Sequence, residues 1–361
     1  MPFISGGTID ITAHEIQRDG SVKELLAASG GAWGGTKVDE GFINLLMKIL
    51  GREFILKYQH DCPSDWLDLR VNFERRKKAV KPNDRDAIIS IQLSWNISGK
   101  FQEVTGKSIE KVIRSTSVQG VKFNNGNMVF DASVVEGLFK PVTSHIVSHI
   151  QQQLRSQNAS GIKTILLVGG FGECAFVQDA ISRGVGRSIK VLCPSEAGIS
   201  IIKGATLFGH QPAVVSSRVA RKTYGTIVRT RFIPNTHPEH RKKICEDGPR
   251  CEVFQTFVEK GENVCVTDVK TFRYSPHSST ATAIYQTFCS ADIKDVTYPD
   301  DPTVKTIGKM TIEMPDITGG LNRKIETKVY FGATEIYVES QEVKARGYGN
   351  KANTTLDFLA D

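Results

Sequence analysis

Apolar residues occur in short runs along this chain, and the most sharply bounded run is 165–168, Ile-Leu-Leu-Val, followed by Gly-Gly-Phe-Gly at 169–172. Four apolar residues that stop at glycines predict a buried strand, ending where another group approaches its backbone. Beyond them the sequence predicts a helix over 173–182. Its apolar side is formed by Phe176, Val177, Ala180 and Ile181. In α/β sheets, ligands bind beyond the carboxyl ends of such strands.

The first fifty residues contain two more glycine turns. Ile9, Ile11 and Ala13 alternate with polar residues after Gly6-Gly7, which predicts a β-hairpin over 4–16. A second turn, 30–36, leads into a predicted helix with Thr36 as its N-cap. The apolar positions of that helix recur at helical spacing: Phe42, Leu45, Leu46, Ile49 and Leu50.

The stretch 65–161 mixes helical and strand patterns. It predicts a helix over 66–80, a strand over 87–93 and a short strand at 129–130 after an Asn-Gly turn. Ser133 and Glu136 predict a capping box for a long helix. Its apolar residues recur every four positions: Leu138, Val142, Ile146, Ile150 and Leu154. Pro141 is expected to kink or restart this helix.

Past Pro212 the pattern becomes all-β, with β-branched and aromatic residues in short runs. Residues 213–220 are predicted to be an interdomain linker. The predicted strands are 226–232, 264–274, 281–289, 308–314, 324–331 and 335–342. Such a set is sufficient for a small β-sandwich.

Composition excludes several classes of protein. The chain of 361 residues is 40% hydrophobic and 24% charged, as in ordinary globular proteins. No apolar run approaches the roughly 20 residues of a membrane span, and the start lacks a secretory signal. Seven scattered cysteines without a CxxC motif predict reduced thiols, so we expect a cytoplasmic protein. The net charge of +7 and short basic runs do not predict nucleic-acid binding.

The glycine turns suggest a phosphate ligand. Gly6, Gly7, Gly34 and Gly35 would let backbone N–H groups face an anion. Thr8 adds a hydroxyl to the first turn, and Asp10 adds a carboxylate that could hold a metal or a water. Three such turns in one domain favour a polyphosphate ligand.

The order and spacing of these motifs resemble the second lobe of the actin-like, ribonuclease H-like ATPase fold of the seventy-kilodalton heat-shock chaperones. The motifs are Gly6-Gly7-Thr8-x-Asp10, Gly34-Gly35-x-x-Val38-Asp39, Val168-Gly169-Gly170, Pro194-Ser195-Glu196-Ala197 and Gly204-Ala205. Residues 167–173, 203–210 and 221–225 resemble the divergent branch called heat shock 70 kDa protein 12. The resemblance implies a nucleotide-binding domain over 1–212, represented by its second lobe, and a β-sandwich-like, peptide-binding domain over 213–361.

The resemblance also implies a nucleotide site for ATP or ADP with Mg²⁺. Thr8 and Asp10 would serve catalysis, and glycines 6, 7, 34 and 35 would bind phosphates. The adenosine-binding residues would be Glu74, Lys77, Lys78, Gly169, Gly170, Phe171 and Ser195. Glu74 and Lys77 would reach the ribose, and Lys78 the adenine face. The implied function is that of a stress-response chaperone, in which the nucleotide controls binding of unfolded or extended peptides, with co-chaperones as further partners.

Three residues depart from the family pattern. Phe3 and Ser5 stand where the family has an acidic residue and a glycine, and Glu173 stands where it often has a stacking arginine. The family's first lobe, with its lysine and half of the metal site, has no counterpart in the chain, which therefore looks like the carboxyl part of a longer protein. We expect weak nucleotide binding without useful hydrolysis, and a non-catalytic interaction module is the alternative.

A possible zinc site is the remaining alternative. His237, His240, Cys245 and Cys251 are four possible zinc ligands within fifteen residues. Their spacing matches no known zinc finger, because structural sites usually pair ligands in tight CxxC turns. A basic loop is the favoured interpretation.

Overall fold

The computed structural model describes residues 2–82, 88–331 and 335–357. The chain divides into two compact units. The first comprises Met1–Thr12 and Ser29–Leu207, and the second comprises Ala13–Ala28 and Phe208–Asp361. The polypeptide therefore passes from the first unit to the second and back within its first thirty residues. The assignment of domains to 1–212 and 213–361 stays a prediction.

The fold is mixed α and β with several sheets. The α-helices of the described residues are α1 Thr36–Leu50, α2 Arg52–Asp61, α3 Pro63–Ala79, α4 Trp95–Thr105, α5 Ile109–Ser115, α6 Ala132–Leu154, α7 Ala175–Val185 and α8 Ser200–His210. The first nine strands are β1 Pro2–Ile4, β2 Ile9–Ile16, β3 Val22–Gly31, β4 Ile89–Gln92, β5 Val121–Asn124, β6 Asn127–Phe130, β7 Thr164–Leu166, β8 Lys190–Leu192 and β9 Val215–Val219.

The remaining strands all belong to the second unit. They are β10 Thr223–Arg231, β11 Lys243–Cys245, β12 Gly248–Val258, β13 Asn263–Cys265, β14 Val269–Tyr274, β15 Ala283–Ala291, β16 Lys305–Glu313, β17 Lys324–Tyr330, β18 Glu335–Lys344 and β19 Gly347–Asp357. Within the described residues, none of the helices is long and apolar enough to cross a membrane.

The first unit confirms both predicted glycine-turn units. β1 and β2 form the expected hairpin, with Ile4 opposite Ile9, and Ile9, Ile11 and Ala13 are buried. β7 runs parallel to β8 and leads through the 169–172 turn into α7, which buries Phe176, Val177 and Ile181. The strand predicted over 87–93 is β4, although residue 87 lies outside the described residues.

Aromatic side chains fill the core of the first unit. The rings of Phe42 on α1 and Phe73 on α3 stack with centroids 4.0 Å apart, and Phe130 of β6 meets Phe42 edge-on. Phe139 of α6 and Phe176 of α7 stack at 4.6 Å. Such pairs add to the free energy gained by burying apolar area, so they anchor α1, α3, α6 and α7 around the glycine turns.

Two local predictions about helix ends are wrong, and α6 does not restart at Pro141, which was one of the two outcomes expected there. Gly35, not Thr36, is the N-cap of α1, and no side chain caps it. The Asp131 carboxylate caps α6 by accepting the Val134 N–H at 3.1 Å, in place of the predicted Ser133–Glu136 box. Asp131 lies two residues before Ser133, so the helix begins earlier than the predicted box would place it. α6 also runs from Ala132 to Leu154 as one helix with Pro141 inside it.

The second unit confirms an all-β pattern with two large sheets, ordered β11-β12-β10-β15-β16 and β14-β17-β18-β19. The predicted linker at 213–220 is wrong, because β9 lies there and pairs in parallel with the start of β3. β13 pairs antiparallel with β9. The single strand predicted over 264–274 is divided into β13 and β14, and β12 and β19 were missed because their polar residues weaken the alternation.

Candidate functional site

The first glycine turn, residues 5–8, joins β1 to β2. The Ser5 N–H donates to the Thr8 carbonyl at 2.9 Å, which closes the turn. Cβ atoms built on Gly6 and Gly7 would meet nothing within 4 Å, so one side of the turn is open. This open side is where a ligand could approach the backbone.

The second turn packs directly on the first. The N–H groups of Gly34, Gly35 and Thr36 donate to the carbonyls of Gly7, Ser5 and Gly6 at 3.2, 3.2 and 2.6 Å. A Cβ at Gly34 would lie only 2.4 Å from the Gly6 oxygen. Gly34 is therefore required for this contact, because any side chain would push the two turns apart.

The third turn completes the cluster. The Ile4 N–H donates to the Val168 carbonyl at 2.8 Å, and the Phe171 N–H donates to the Ile4 carbonyl at 3.1 Å. Gly169 has φ +87°, and a Cβ there would lie 2.6 Å from the Ile4 oxygen. Glycines that lie far apart in sequence thus meet at the ends of β1 and β7.

Thr8 and Asp10 lie together at the rim of this cluster. The Thr8 hydroxyl donates to Asp10 Oδ2 at 3.2 Å, and both side chains are solvent-exposed. An exposed carboxylate beside a hydroxyl can hold the water shell of a divalent cation, since hard cations prefer oxygen ligands. The arrangement suits the roles that the sequence predicted for both residues.

Lys77 has a different environment from the one predicted. Its ammonium is buried, forms an ion pair with Asp39 and donates to the Gly35 carbonyl at 3.1 Å. To reach a ribose it would have to leave Asp39, so its observed contacts support the second glycine turn. The pairing of Asp39 with Lys77 was not predicted from the sequence, where Asp39 was named only within the Gly34–Asp39 motif.

Glu74 and Lys78 lie on the exposed face of α3. Their side chains form an ion pair at 3.0 Å, and this hydrogen bond lowers the pKa of Glu74. Together with Val71, Arg75 and Ala79 they line a shallow, open depression. Both remain accessible to a ligand.

Ser195 belongs to a loop that closes over the third turn. The Gly169 N–H donates to the Ala197 carbonyl at 2.8 Å, while the Ser195 side chain is exposed. Glu173 has a structural partner here, because its Oε1 accepts the Gly198 N–H at 2.9 Å. The glutamate therefore braces the loop that carries Ser195.

Among the described residues, no group of three or more His, Cys, Asp or Glu could hold a metal ion. His237 Nδ1 accepts the Ile233 N–H at 3.0 Å, which uses one ring nitrogen within its own loop. Cys251 is buried on β12. The four possible zinc ligands are thus not brought together, and all seven cysteines of the chain are free thiols, as predicted.

The residues present fit a nucleotide phosphate chain. The open face of Gly6 and Gly7 leaves the space that a Cβ would fill, and the exposed Thr8 and Asp10 provide oxygen ligands beside it. Glycine turns that meet at strand ends define a class of α/β proteins that cradle phosphate groups on backbone amides.

Comparison with known proteins agrees with this class. No protein-family model matches the chain. The chain is 32% identical over 361 residues to human "Heat shock 70 kDa protein 12A", covering 98% of this chain and 53% of that protein. It is also 32% identical over 370 residues to human "Heat shock 70 kDa protein 12B", covering 99% of this chain and 53% of that protein. "Chaperone protein DnaK" of Mycoplasmopsis synoviae (strain 53) is 22% identical over 231 residues, covering 62% of this chain and 34% of that protein.

The chain is related to the heat shock 70 kDa protein 12 branch of the seventy-kilodalton heat-shock family, as the sequence motifs predicted. The chain spans about half the length of the curated relatives it matches.

Proposed function

We propose that this chain binds the phosphates of ATP or ADP with Mg²⁺ at the three glycine turns, as the second lobe of an actin-like nucleotide-binding domain. The convergence of the turns at 5–8, 34–36 and 168–171 carries the proposal, because their hydrogen bonds bring separate motifs into one cradle. The names of the relatives, which are heat-shock and chaperone proteins, support the same class.

Each residue has a definite role in this proposal. The amides of Gly6, Gly7 and Thr8 in the first turn bind phosphate oxygens, and the Thr8 hydroxyl is a further donor. Gly34 and Gly35 hold this turn in place, because their own N–H groups donate to the carbonyls of Gly7 and Ser5. Asp10 would hold the magnesium ion. Magnesium supplies the positive charge that neutralises the phosphates. Glu74 and Lys78 on α3, with Gly170 and Ser195, contact the adenosine. The Phe171 side chain is buried and stacks on Phe139, so it supports the third turn from below.

We propose that these residues by themselves hydrolyse the nucleotide at no useful rate. Phosphoryl transfer depends on positioning and on charge stabilisation from several directions. The lysines beside the second turn have other partners, since Lys37 pairs with Glu40 at 2.8 Å and Lys77 pairs with Asp39. Losing one strong contact to developing charge costs about 3 kcal/mol of barrier, roughly a hundredfold in rate.

A thermal unfolding experiment on the full chain tests nucleotide binding. ATP with magnesium should raise the unfolding temperature in a saturable way, since a ligand that binds the folded state stabilises it. Gly34→Ala should abolish the rise, because the added Cβ would separate the first two turns. Gly99→Ala is the matched control, since its Cβ would meet nothing within 4 Å.

Phosphate release measured on the same samples tests turnover. We expect release at the background rate in the wild type. A rise in unfolding temperature that survives in Gly34→Ala would overturn the assigned cradle. No stabilisation at millimolar ATP would favour the alternative function, an interaction module that does not use nucleotide.

We also propose that the second unit binds extended peptide segments under nucleotide control, as a β-sandwich-like domain would. Among the described residues, β14 is a terminal strand of its sheet, and it exposes Val269 on that edge. A strand edge can hold an extended chain through main-chain hydrogen bonds.

Fluorescence anisotropy of a labelled unfolded peptide with the full chain tests this second part. Binding should be saturable and should change when ATP is added. Val269→Lys should weaken it, because edge lysines discourage strand addition. Val104→Lys on α4 is the control, since Val104 is also exposed, at 55% against 46% for Val269. Equal effects of the two substitutions would exclude the β14 edge.

A further inference from the structure

We propose that the Ser5 hydroxyl is a built-in substitute for a phosphate oxygen, which the nucleotide must displace before the first turn can bind it. This inference rests on the proposed nucleotide function. It makes Ser5 a residue that sets how strongly the site prefers polyphosphate over adenosine.

The Ser5 hydroxyl already occupies the donors that a phosphate would use. Its Oγ accepts the Thr8 N–H at 3.0 Å and the Gly7 N–H at 3.3 Å. The hydroxyl hydrogen can be donated to the Thr8 carbonyl at 3.1 Å, and the Thr8 hydroxyl lies 3.3 Å away. The side chain is thus bound as donor and as acceptor within its own turn.

The backbone of the turn does not need to move for the amides to become free. The carbonyls of Ser5, Gly6 and Gly7 are held by N–H groups of the second turn at 3.2, 2.6 and 3.2 Å. These carbonyls share their peptide groups with the N–H groups of Gly6, Gly7 and Thr8, so the bonds to the second turn do not occupy those N–H groups. Rotation of Ser5 about its Cα–Cβ bond is therefore sufficient to present both N–H groups to an anion.

Two consequences follow for binding. An incoming phosphate exchanges one acceptor for another at Gly7 and Thr8, so these amides contribute less to affinity than free amides would. Adenosine lacks phosphate and does not compete with Ser5, so its binding is independent of the hydroxyl. Removal of the hydroxyl should strengthen polyphosphate binding alone.

The experiment compares the wild-type chain with Ser5→Ala and with Ser5→Thr, which keeps a hydroxyl. Inorganic tripolyphosphate, ATP with magnesium, and adenosine are titrated against each protein by calorimetry. We expect Ser5→Ala to bind tripolyphosphate and ATP about tenfold more tightly, the worth of one to two net hydrogen bonds. Adenosine affinity should not change, and Ser5→Thr should remain close to the wild type.

Amide hydrogen exchange of the ligand-free proteins provides a second measurement, independent of nucleotide. Gly7 and Thr8 should exchange faster in Ser5→Ala than in the wild type, because both amides lose their acceptor. Unchanged exchange at both positions would overturn the proposal.

The proposed nucleotide function and the proposed role of Ser5 can fail separately. If the wild type binds ATP and Ser5→Ala binds it equally or more weakly, the proposal for Ser5 is wrong and Ser5 is itself neutral or a phosphate ligand. If neither protein binds ATP or tripolyphosphate, the proposed nucleotide function and the Ser5 proposal both fail.

Discussion

At the scale of single residues, the buried ion pair of Lys77 and Asp39 supports the second turn, where the Lys77 ammonium also donates to the Gly35 carbonyl. The Lys77 side chain is 3% exposed, whereas that of Asp39 is 19% exposed. A buried ammonium without a counter-ion is costly, and a partly hydrated carboxylate is less so. Loss of the Asp39 carboxylate should therefore cost more stability than loss of the Lys77 ammonium.

Substitution of either partner should reveal this asymmetry. Asp39→Ala leaves a buried ammonium without its counter-ion and should lower the free energy of unfolding by about 3 kcal/mol. Lys77→Met should cost less, because Asp39 can gain water. Urea unfolding of both variants and of the double variant measures the coupling energy. Additive losses in the double variant would contradict a direct interaction.

The pH dependence of the first unit should include a contribution from His149. Its Nε2 lies 3.0 Å from Ser29 Oγ, the Trp33 ring packs edge-on at 5.4 Å, and burial lowers the pKa of His149. The unfolded state binds a proton near the ordinary histidine pKa of about 6.5, while the folded state binds it only at lower pH. Stability is therefore lost as pH falls below about 6.5.

Unfolding temperatures at pH 7.5 and 5.5 test this expectation. The difference between the two should be smaller in His149→Gln than in the wild type. His60→Gln serves as the control, because the His60 side chain is 87% exposed. An undiminished difference in His149→Gln would exclude the histidine as a source of acid destabilisation.

At the scale of elements, a buried polar cluster joins the two large sheets of the second unit. Gln286 of β15 donates from Nε2 to Thr327 Oγ1 of β17 at 3.1 Å and accepts from Ser340 Oγ of β18 at 2.8 Å. The hydroxyls of Thr327 and Ser340 lie 2.7 Å apart. Because every member has a partner, the cluster fixes the register of β15 against β17 and β18.

Thr327→Val keeps the side-chain shape but removes the hydroxyl from this cluster. The Gln286 amide is then left with an unsatisfied donor in a buried site, which should cost about 1–3 kcal/mol of unfolding free energy. Thr355→Val on the exposed face of β19 should change stability by less than about 0.5 kcal/mol. Chemical denaturation monitored by circular dichroism compares the two, and equal losses would contradict the cluster's role.

At the scale of the whole molecule, the second unit is built from two separate stretches of chain. The Glu24 carboxylate of β3 accepts the Val219 N–H of β9 at 2.8 Å, and the Asn263 side chain donates to the Glu24 carbonyl at 2.9 Å. Burial raises the pKa of Glu24. A segment near the start of the chain thus holds β9, at residues that the sequence pattern assigned to a linker.

Hydrogen exchange of the full chain can distinguish a strand from a linker at this position. We expect the Val219 amide to exchange slowly, as hydrogen-bonded amides in sheets do. Glu24→Gln should retain most of this protection, because the amide oxygen still accepts, whereas Glu24→Ala should lose it. Fast exchange throughout 215–219 in the wild type would restore the linker interpretation.

The sequence alone was sufficient for the features that depend on local pattern. The β1–β2 hairpin, α1, α7 and most strands of the second unit follow from apolar periodicity bounded by glycines, and these were confirmed. The relation to the heat-shock family was also predicted from short motifs, and the 32% identity to human heat shock 70 kDa protein 12A agrees with that prediction.

Tertiary structure decided what depends on partners distant in sequence. β9 is a strand because β3 and β13 pair with it, although its own residues resemble a linker. Lys77 is buried because Asp39 and the Gly35 carbonyl meet it from α1 and the second turn. The sequence shows that Ser5 stands where the family has a glycine. Only the folded turn shows that its hydroxyl accepts hydrogen bonds from the Gly7 and Thr8 amides. Periodicity reports which side of an element is buried, whereas the partner of each polar group is set by the packing of elements from elsewhere in the chain.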